Sequence, residues 1–220
     1  MNISIFDVLG PVMIGPSSSH TAGAAKLARI AATLAPCDFV SVEFGLAGSL
    51  AKTGRGHGTD KALLAGALGL FEDDERLPHA FALAQKQGIA FTFSAIEMPE
   101  SHENSARITF VYPDKSRFFV EGSSIGGGRI RITNLNGIPT SFSAEVSTIV
   151  ITQRDTKGVI STISHILLEN NINIGVMRVT RVAKGDVANC VIETDAPIPK
   201  AVETALCAAE HILQVCVINV

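Results

Sequence analysis

The chain has 220 residues, 46% hydrophobic and 18% charged, with a net charge of −3. This is a globular balance, enough for one large domain or two small ones, and it lacks the basic stripe of a nucleic-acid binder. Eleven Phe against one Tyr and no Trp predict a core of aliphatics and Phe.

The opening MNISIFDVLGPVMIGPSSSH has no positive n-region, and Asp7, Gly10 and Pro11 break its apolar residues. Neither a signal peptide nor a membrane span is expected. The turn-rich Gly15–Thr21 leads into a helix carrying Leu27, Ile30 and Leu34, with Ser19 or Thr21 as N-cap and Pro36 as stop. A strand at 39–44 follows, then a Gly-rich loop at 54–60 and helices at about 60–69 and 76–87. Strands are predicted at 89–96, 106–112 and 116–121, then a loop over Gly122–Gly128 and a strand at 129–132. The stretch Asn134–Ser147, rich in Asn, Ser, Gly, Pro and Thr, reads as a linker between domains at 1–145 and 148–220.

From Thr148 the pattern becomes regular: strand 148–152, helix 157–169, strands 172–182 and 187–194, a helix to about His211, and strand 213–217. That order, βαββαβ, is ferredoxin-like, and the whole chain is of the α+β class. Cys37, Cys190, Cys207 and Cys216 form no C-x-x-C pair, and three fall in apolar periodic segments. They read as small buried hydrophobes in a reducing cytoplasm rather than as cluster ligands.

Three polar loops carry the residues suited to chemistry. In Gly15–Thr21, the hydroxyls of Ser17, Ser18 and Ser19 and the N–H groups at a helix start suit a carboxylate or phosphate. An ordinary Ser/Thr cap is the plainer reading, and His20 beside the serines tilts toward function, since it titrates near neutral pH. In Gly54–Asp60, three glycines admit a ligand close to the backbone while Arg55, His57 and Thr59 offer a carboxylate clamp, a proton acceptor and a hydrogen bond. A solvated turn with Asp60 capping the next helix is as good a reading. In Gly122–Arg131, Gly126, Gly127 and Gly128 suit an anion-binding nest, but they match neither a P-loop nor a Rossmann fingerprint, and a plain loop is the default. His79, His102, His165 and His211 read as surface or core residues.

The stretches GPSSSHTAGAAKLAR, GSLAKTGRGHGTDKALL and SSIGGGRIRI, in this order, resemble the beta chain of the iron–sulfur-dependent L-serine dehydratases. The resemblance covers essentially the whole chain, because the C-terminal part is similar to an ACT domain. It implies a lyase that converts L-serine to pyruvate and ammonia without pyridoxal phosphate, as one subunit of a two-chain enzyme. A four-iron, four-sulfur cluster would act as Lewis acid on the serine hydroxyl, its cysteines supplied by the partner alpha chain. It also implies that His20, Ser17–Ser19, His57 and Thr59 stand at the active site. His57 is the favoured base for the α-proton, with His20 or a partner-chain group as alternatives. ACT domains pair across subunits and bind amino acids at the resulting interface. Asp155, Lys157 and Gly158 occupy the corresponding loop, with Lys157 where Pro is usual, so a purely structural dimer module is an alternative.

Two other functions compete. One is a non-catalytic, amino-acid-sensing regulatory subunit, because the first domain is also similar to a regulatory domain of some phosphoglycerate dehydrogenases. The other is a hydrolase using Ser18 or Ser19 with His20, which lacks a G-x-S-x-G elbow.

Overall fold

The computed structural model describes residues 12–220, apart from the side chain of Arg55; the apolar opening of the chain lies outside them. The chain divides into two compact units, Met1–Asn136 and Gly137–Val220. Among the described residues, no helix is long and apolar enough to cross a membrane.

The first unit lays helices on a mixed sheet. Its elements are α1 (Gly23–Leu34), β1 (Ser41–Leu46), α2 (Gly48–Thr53), α3 (Thr59–Ala67), α4 (Ala80–Gln87), β2 (Ala90–Ala95), β3 (Ser105–Val111), β4 (Arg117–Gly126) and β5 (Arg129–Leu135). These strands lie in the order β2-β1-β3-β4-β5, parallel between β1 and β2 and antiparallel elsewhere.

Two glycines let α1 sit close to its neighbours. A Cβ on Gly122 of β4 would stand 2.7 Å from Leu27 Cδ1, so the bare glycine makes the seat for that fully buried leucine. A Cβ on Gly66 of α3 would stand 2.1 Å from the Ala25 carbonyl oxygen, so α1 and α3 touch backbone to backbone. Burying Leu27, Ile30 and Leu34 against this frame contributes about 1.5–3 kcal/mol each. Phe44 and Phe110 are fully buried in the core of this unit, and part-buried Phe93 stacks on Phe44 at 4.8 Å while Phe81 of α4 stacks on Phe91 at 5.1 Å.

Three local departures from the sequence reading have physical causes. The Gly-rich loop expected at 54–60 is helical: α2 runs to Thr53, a 3-10 turn spans Gly54–His57, and α3 begins at Thr59. Buried Leu50 anchors that segment, overriding the weak propensity of the glycines. Asp60 does not cap α3, because Gly58 holds the N-cap position at φ 67°. The loop expected from Gly122 is strand as far as Gly126, and only Gly127 and Gly128 (φ 61° and 73°) turn the chain into β5. Positive φ at both residues matches the twist of a two-residue hairpin.

The second unit comprises β6 (Ile138–Phe142), β7 (Thr148–Arg154), α5 (Val159–Glu169), β8 (Ile174–Arg181), β9 (Val187–Thr194), α6 (Lys200–Ala208) and β10 (Ile212–Ile218). The stretch read as a linker therefore contains strand β6. Strands β10-β7-β9-β8 form an antiparallel sheet in the ferredoxin-like order. Ile149, Ile151, Cys190 and Ile192 meet Val159, Ile163, Leu167, Val202 and Leu206 in one core. Cys190 is thus the buried hydrophobe expected, its thiol pushed up to about 11 by burial, whereas Cys37 and Cys207 are exposed.

Candidate functional site

The first polar loop folds into a π-helical turn, Ser18–Ala22, that runs into α1. Ser17 caps it, not Ser19 or Thr21: the Ser17 hydroxyl accepts from the His20 N–H at 3.0 Å. The wide turn presents the His20 ring to hydroxyls on both sides, and π-turns of this kind often mark functional positions. His20 Nδ1 lies 3.1 Å from Ser19 Oγ, and Nε2 lies 3.1 Å from both Ser49 Oγ and Thr53 Oγ1 on α2.

The second polar segment meets the first. The His20 and His57 ring centroids are 5.0 Å apart, tilted by 39°. Two threonines cross between the segments: Thr21 donates to the His57 carbonyl at 3.0 Å, and Thr59 donates to the His20 carbonyl at 2.8 Å. Both threonines are buried, and each, one or two residues past one histidine, pins the backbone of the other. Thr59, expected to hydrogen-bond substrate, is fully buried with its hydroxyl engaged in this pin; it is a positioning residue.

The hydrogen-bond partners assign the ring protons. A carbonyl only accepts, so His57 donates Nδ1–H to the Thr53 carbonyl at 3.1 Å and its Nε2 carries the lone pair. Among the described residues nothing bonds that Nε2. Thr53 Oγ1 gives its hydrogen to the Ser49 carbonyl at 3.0 Å, which leaves its oxygen to accept from His20 Nε2–H. His20 Nδ1 then accepts from Ser19. Partial burial and the charge of His57 hold the His20 titration below its ordinary value, against opposing contributions from Ser49 and the Glu103 carboxylate.

His57 and Thr53 border a cleft of about 740 Å³, with Leu46, Leu50 and Phe93 as an apolar wall and Lys52 and Asp60 as charged groups. That is space for a small molecule or a partner segment. Ser17, Ser18, Ser19 and His20 do not line that cleft. The backbone of Arg55 lies in the 3-10 turn; its side chain lies outside the described part. Gly126, Gly127 and Gly128 form the β4–β5 hairpin end. Although Ser19 reaches His20, no described carboxylate hydrogen-bonds that ring, so the set is not a hydrolase triad. Sequence reasoning missed Ser49 and Thr53, whose i, i+4 spacing on one helix face was the available signal.

In the second unit, the Asp155 carboxylate accepts from the Gly185 N–H at 2.9 Å and pairs with Arg181, which holds it below the usual carboxylate range. It therefore ties the loop to the β8–β9 turn. Lys157 is exposed beside it, and Gly158 takes φ 92° at the start of α5.

All four cysteines lie within the described residues, where no three His, Cys, Asp or Glu side chains gather to hold a metal. The described residues do not fit the ligand set of an iron–sulfur cluster.

Residues 4–86 match the family model described as serine dehydratase beta chain, and residues 147–211 that of the ACT domain. The chain is 40% identical to the L-serine dehydratase, beta chain, of Peptoniphilus asaccharolyticus, over 94% of each chain. It is 39% identical to the probable L-serine dehydratase, beta chain, of Bacillus subtilis (strain 168), over 96% of each. It is also 32% identical over 136 residues to the D-3-phosphoglycerate dehydrogenase of that organism, a match spanning 61% of this chain and 26% of the other.

Proposed function

The chain belongs to the serine dehydratase beta-chain family, and on that premise we propose that it is the beta subunit of an L-serine ammonia-lyase. The reaction removes the α-proton and the β-hydroxyl of L-serine as water; the resulting enamine becomes an imine, whose hydrolysis yields pyruvate and ammonia. The observation that carries the reading is His57: its Nε2 lone pair is free among the described residues, and the residue stands on the cleft. A proton acceptor of this kind suits removal of an α-proton. His20, with both ring nitrogens hydrogen-bonded, holds the neighbouring hydroxyls and orients the site. Ser17–Ser19 and Arg55 are assigned to binding the polar groups of serine, and Gly126–Gly128 to a lesser contact.

In this proposal an alpha chain completes the active site and carries the four-iron, four-sulfur cluster that the family resemblance implies, since the cysteines here do not fit one. The enzyme works in the cytoplasm, and the ACT unit pairs with a second copy. Asp155 closes the loop in which an effector would bind near Lys157 and Gly158.

The test is anaerobic pyruvate formation from L-serine by this chain, by a cluster-loaded alpha chain, and by the two mixed. Activity only in the mixture, lost on His57→Ala by roughly 10²–10⁴-fold while the complex still forms on size exclusion, is the expected result. The similarity to a phosphoglycerate dehydrogenase favours a second reading, an amino-acid-sensing subunit. That reading requires full activity from the alpha chain alone, serine binding by this chain, and tolerance of His57→Ala.

A further inference from the structure

We propose that Thr53 is the positioning residue for both imidazoles of the site, its hydroxyl fixing His20 and its carbonyl fixing His57. The inference rests on reading the pair as a proton-transfer centre, and it concerns a residue outside both histidine loops. Thr53 is the last residue of α2, and its hydroxyl bonds back to the Ser49 carbonyl one turn earlier at 3.0 Å. That bond locks the side-chain rotamer and commits the hydroxyl hydrogen. The oxygen that remains, 3.1 Å from His20 Nε2, can only accept, so it selects the Nε2–H tautomer of His20.

The carbonyl of the same residue acts on the other ring. It accepts from His57 Nδ1 at 3.1 Å, which selects the Nδ1–H tautomer and leaves Nε2 bare. One residue thus sets opposite tautomers on two rings 5.0 Å apart. The crossed threonines do a different job: the Thr21 and Thr59 hydroxyls bond backbone carbonyls, not ring nitrogens. Ser49 Oγ also reaches His20 Nε2 at 3.1 Å, but no carbonyl bond commits its hydrogen, so Ser49 alone does not choose a tautomer.

The experiment is a long-range proton–nitrogen correlation spectrum of the imidazoles in the ¹⁵N-labelled full chain, as wild type, Thr53→Val and Thr53→Ser. Valine keeps the shape and the carbonyl but removes the hydroxyl, and Thr53 is exposed, so the core is untouched. His20 is expected as Nε2–H and His57 as Nδ1–H in the wild type. Thr53→Val moves His20 toward Nδ1–H and leaves His57 in place, and Thr53→Ser restores His20. A wild-type His57 in the Nε2–H form, or a His20 that Thr53→Val does not move, overturns the proposal.

In the complex with the alpha chain, Thr53→Val should lower kcat by roughly five- to tenfold with KM nearly constant, the scale of one lost hydrogen bond, and Thr53→Ser should recover it. Full kcat in Thr53→Val also overturns the proposal. A wild-type mixture that makes no pyruvate sinks the lyase reading instead, and the tautomer spectra still decide the role of Thr53.

Discussion

Thr21 and Thr59 provide a direct way to weigh the architecture of the site. Replacing Thr59 by Val keeps its shape in a fully buried position but removes the 2.8 Å bond to the His20 carbonyl. The net value of such a bond is about 0.5–1.5 kcal/mol, and because the His20 carbonyl is only part-buried the expected loss stays in that range. Thr21→Val removes the 3.0 Å bond to the His57 carbonyl and should cost a similar amount. Because α1 and α3 already pack together, the chain between the two segments is closed by other contacts. The loss is therefore that of hydrogen bonds and not of loop closure. Both bonds tie the same two backbones, so breaking one slackens the other, and the double variant should cost less than the sum by about 0.5 kcal/mol or more. Urea denaturation of the full chain, with unchanged m-values, measures all three variants. Additivity within about 0.3 kcal/mol, or a Thr59→Val chain as stable as wild type, would refute the crossed-pin account.

Gly66→Ala tests the helix contact behind the pins: the added Cβ meets the Ala25 carbonyl oxygen at 2.1 Å, and backbone cannot swing aside. Overpacking of about 1–3 kcal/mol should exceed the gain of up to about 1 kcal/mol in helix propensity, so chemical denaturation should show net destabilisation. Titration of His20, followed by NMR, should give a midpoint below 6.5, and Glu103→Gln should lower it further by removing a charge that favours the imidazolium. The sign for stability follows: the unfolded His20 holds its proton more tightly, so its contribution is full above pH 6.5 and declines as pH falls toward the native value. A midpoint at or above 6.5 contradicts the burial argument.

The ferredoxin-like unit was legible almost residue by residue, because its strands are short apolar runs bounded by turn residues and its helices repeat with one apolar face. Strand 187–194 and helix 159–169, for instance, need no tertiary information beyond their own pattern. The first unit was legible where apolar periodicity was strong, as in α1, and obscure where glycine dominates. Gly54, Gly56 and Gly58 read as loop, yet the segment coils because Leu50 is buried and Thr59 is pinned. Gly122–Gly126 reads as loop, yet it is strand, because Leu27 needs a seat without a Cβ. The two histidine motifs were visible as motifs. What the sequence could not disclose was direction: a Thr hydroxyl in a polar loop looks available to ligand, and only its tertiary partner shows Thr59 turned inward onto the His20 carbonyl.

The close approach of the two rings sets a limit on how they share work. Two unit charges 5.0 Å apart repel by at most about 3 kcal/mol at an effective dielectric of 20, and by less where solvent screens them. A proton on His57 therefore makes a second proton on His20 unfavourable, and His20 is already biased toward its neutral form by partial burial. In its neutral Nε2–H form, His20 donates toward α2 and accepts from Ser19, a fixed dipole that needs no change of protonation to keep its partners satisfied. His57, with one nitrogen anchored and the other free among the described residues, can gain and lose a proton without releasing Thr53. In the proposed reaction the pair divides into one ring that moves a proton and one that holds its surroundings still while it does so, which is why substitutions at Thr53 should be felt at His20 before they are felt at His57.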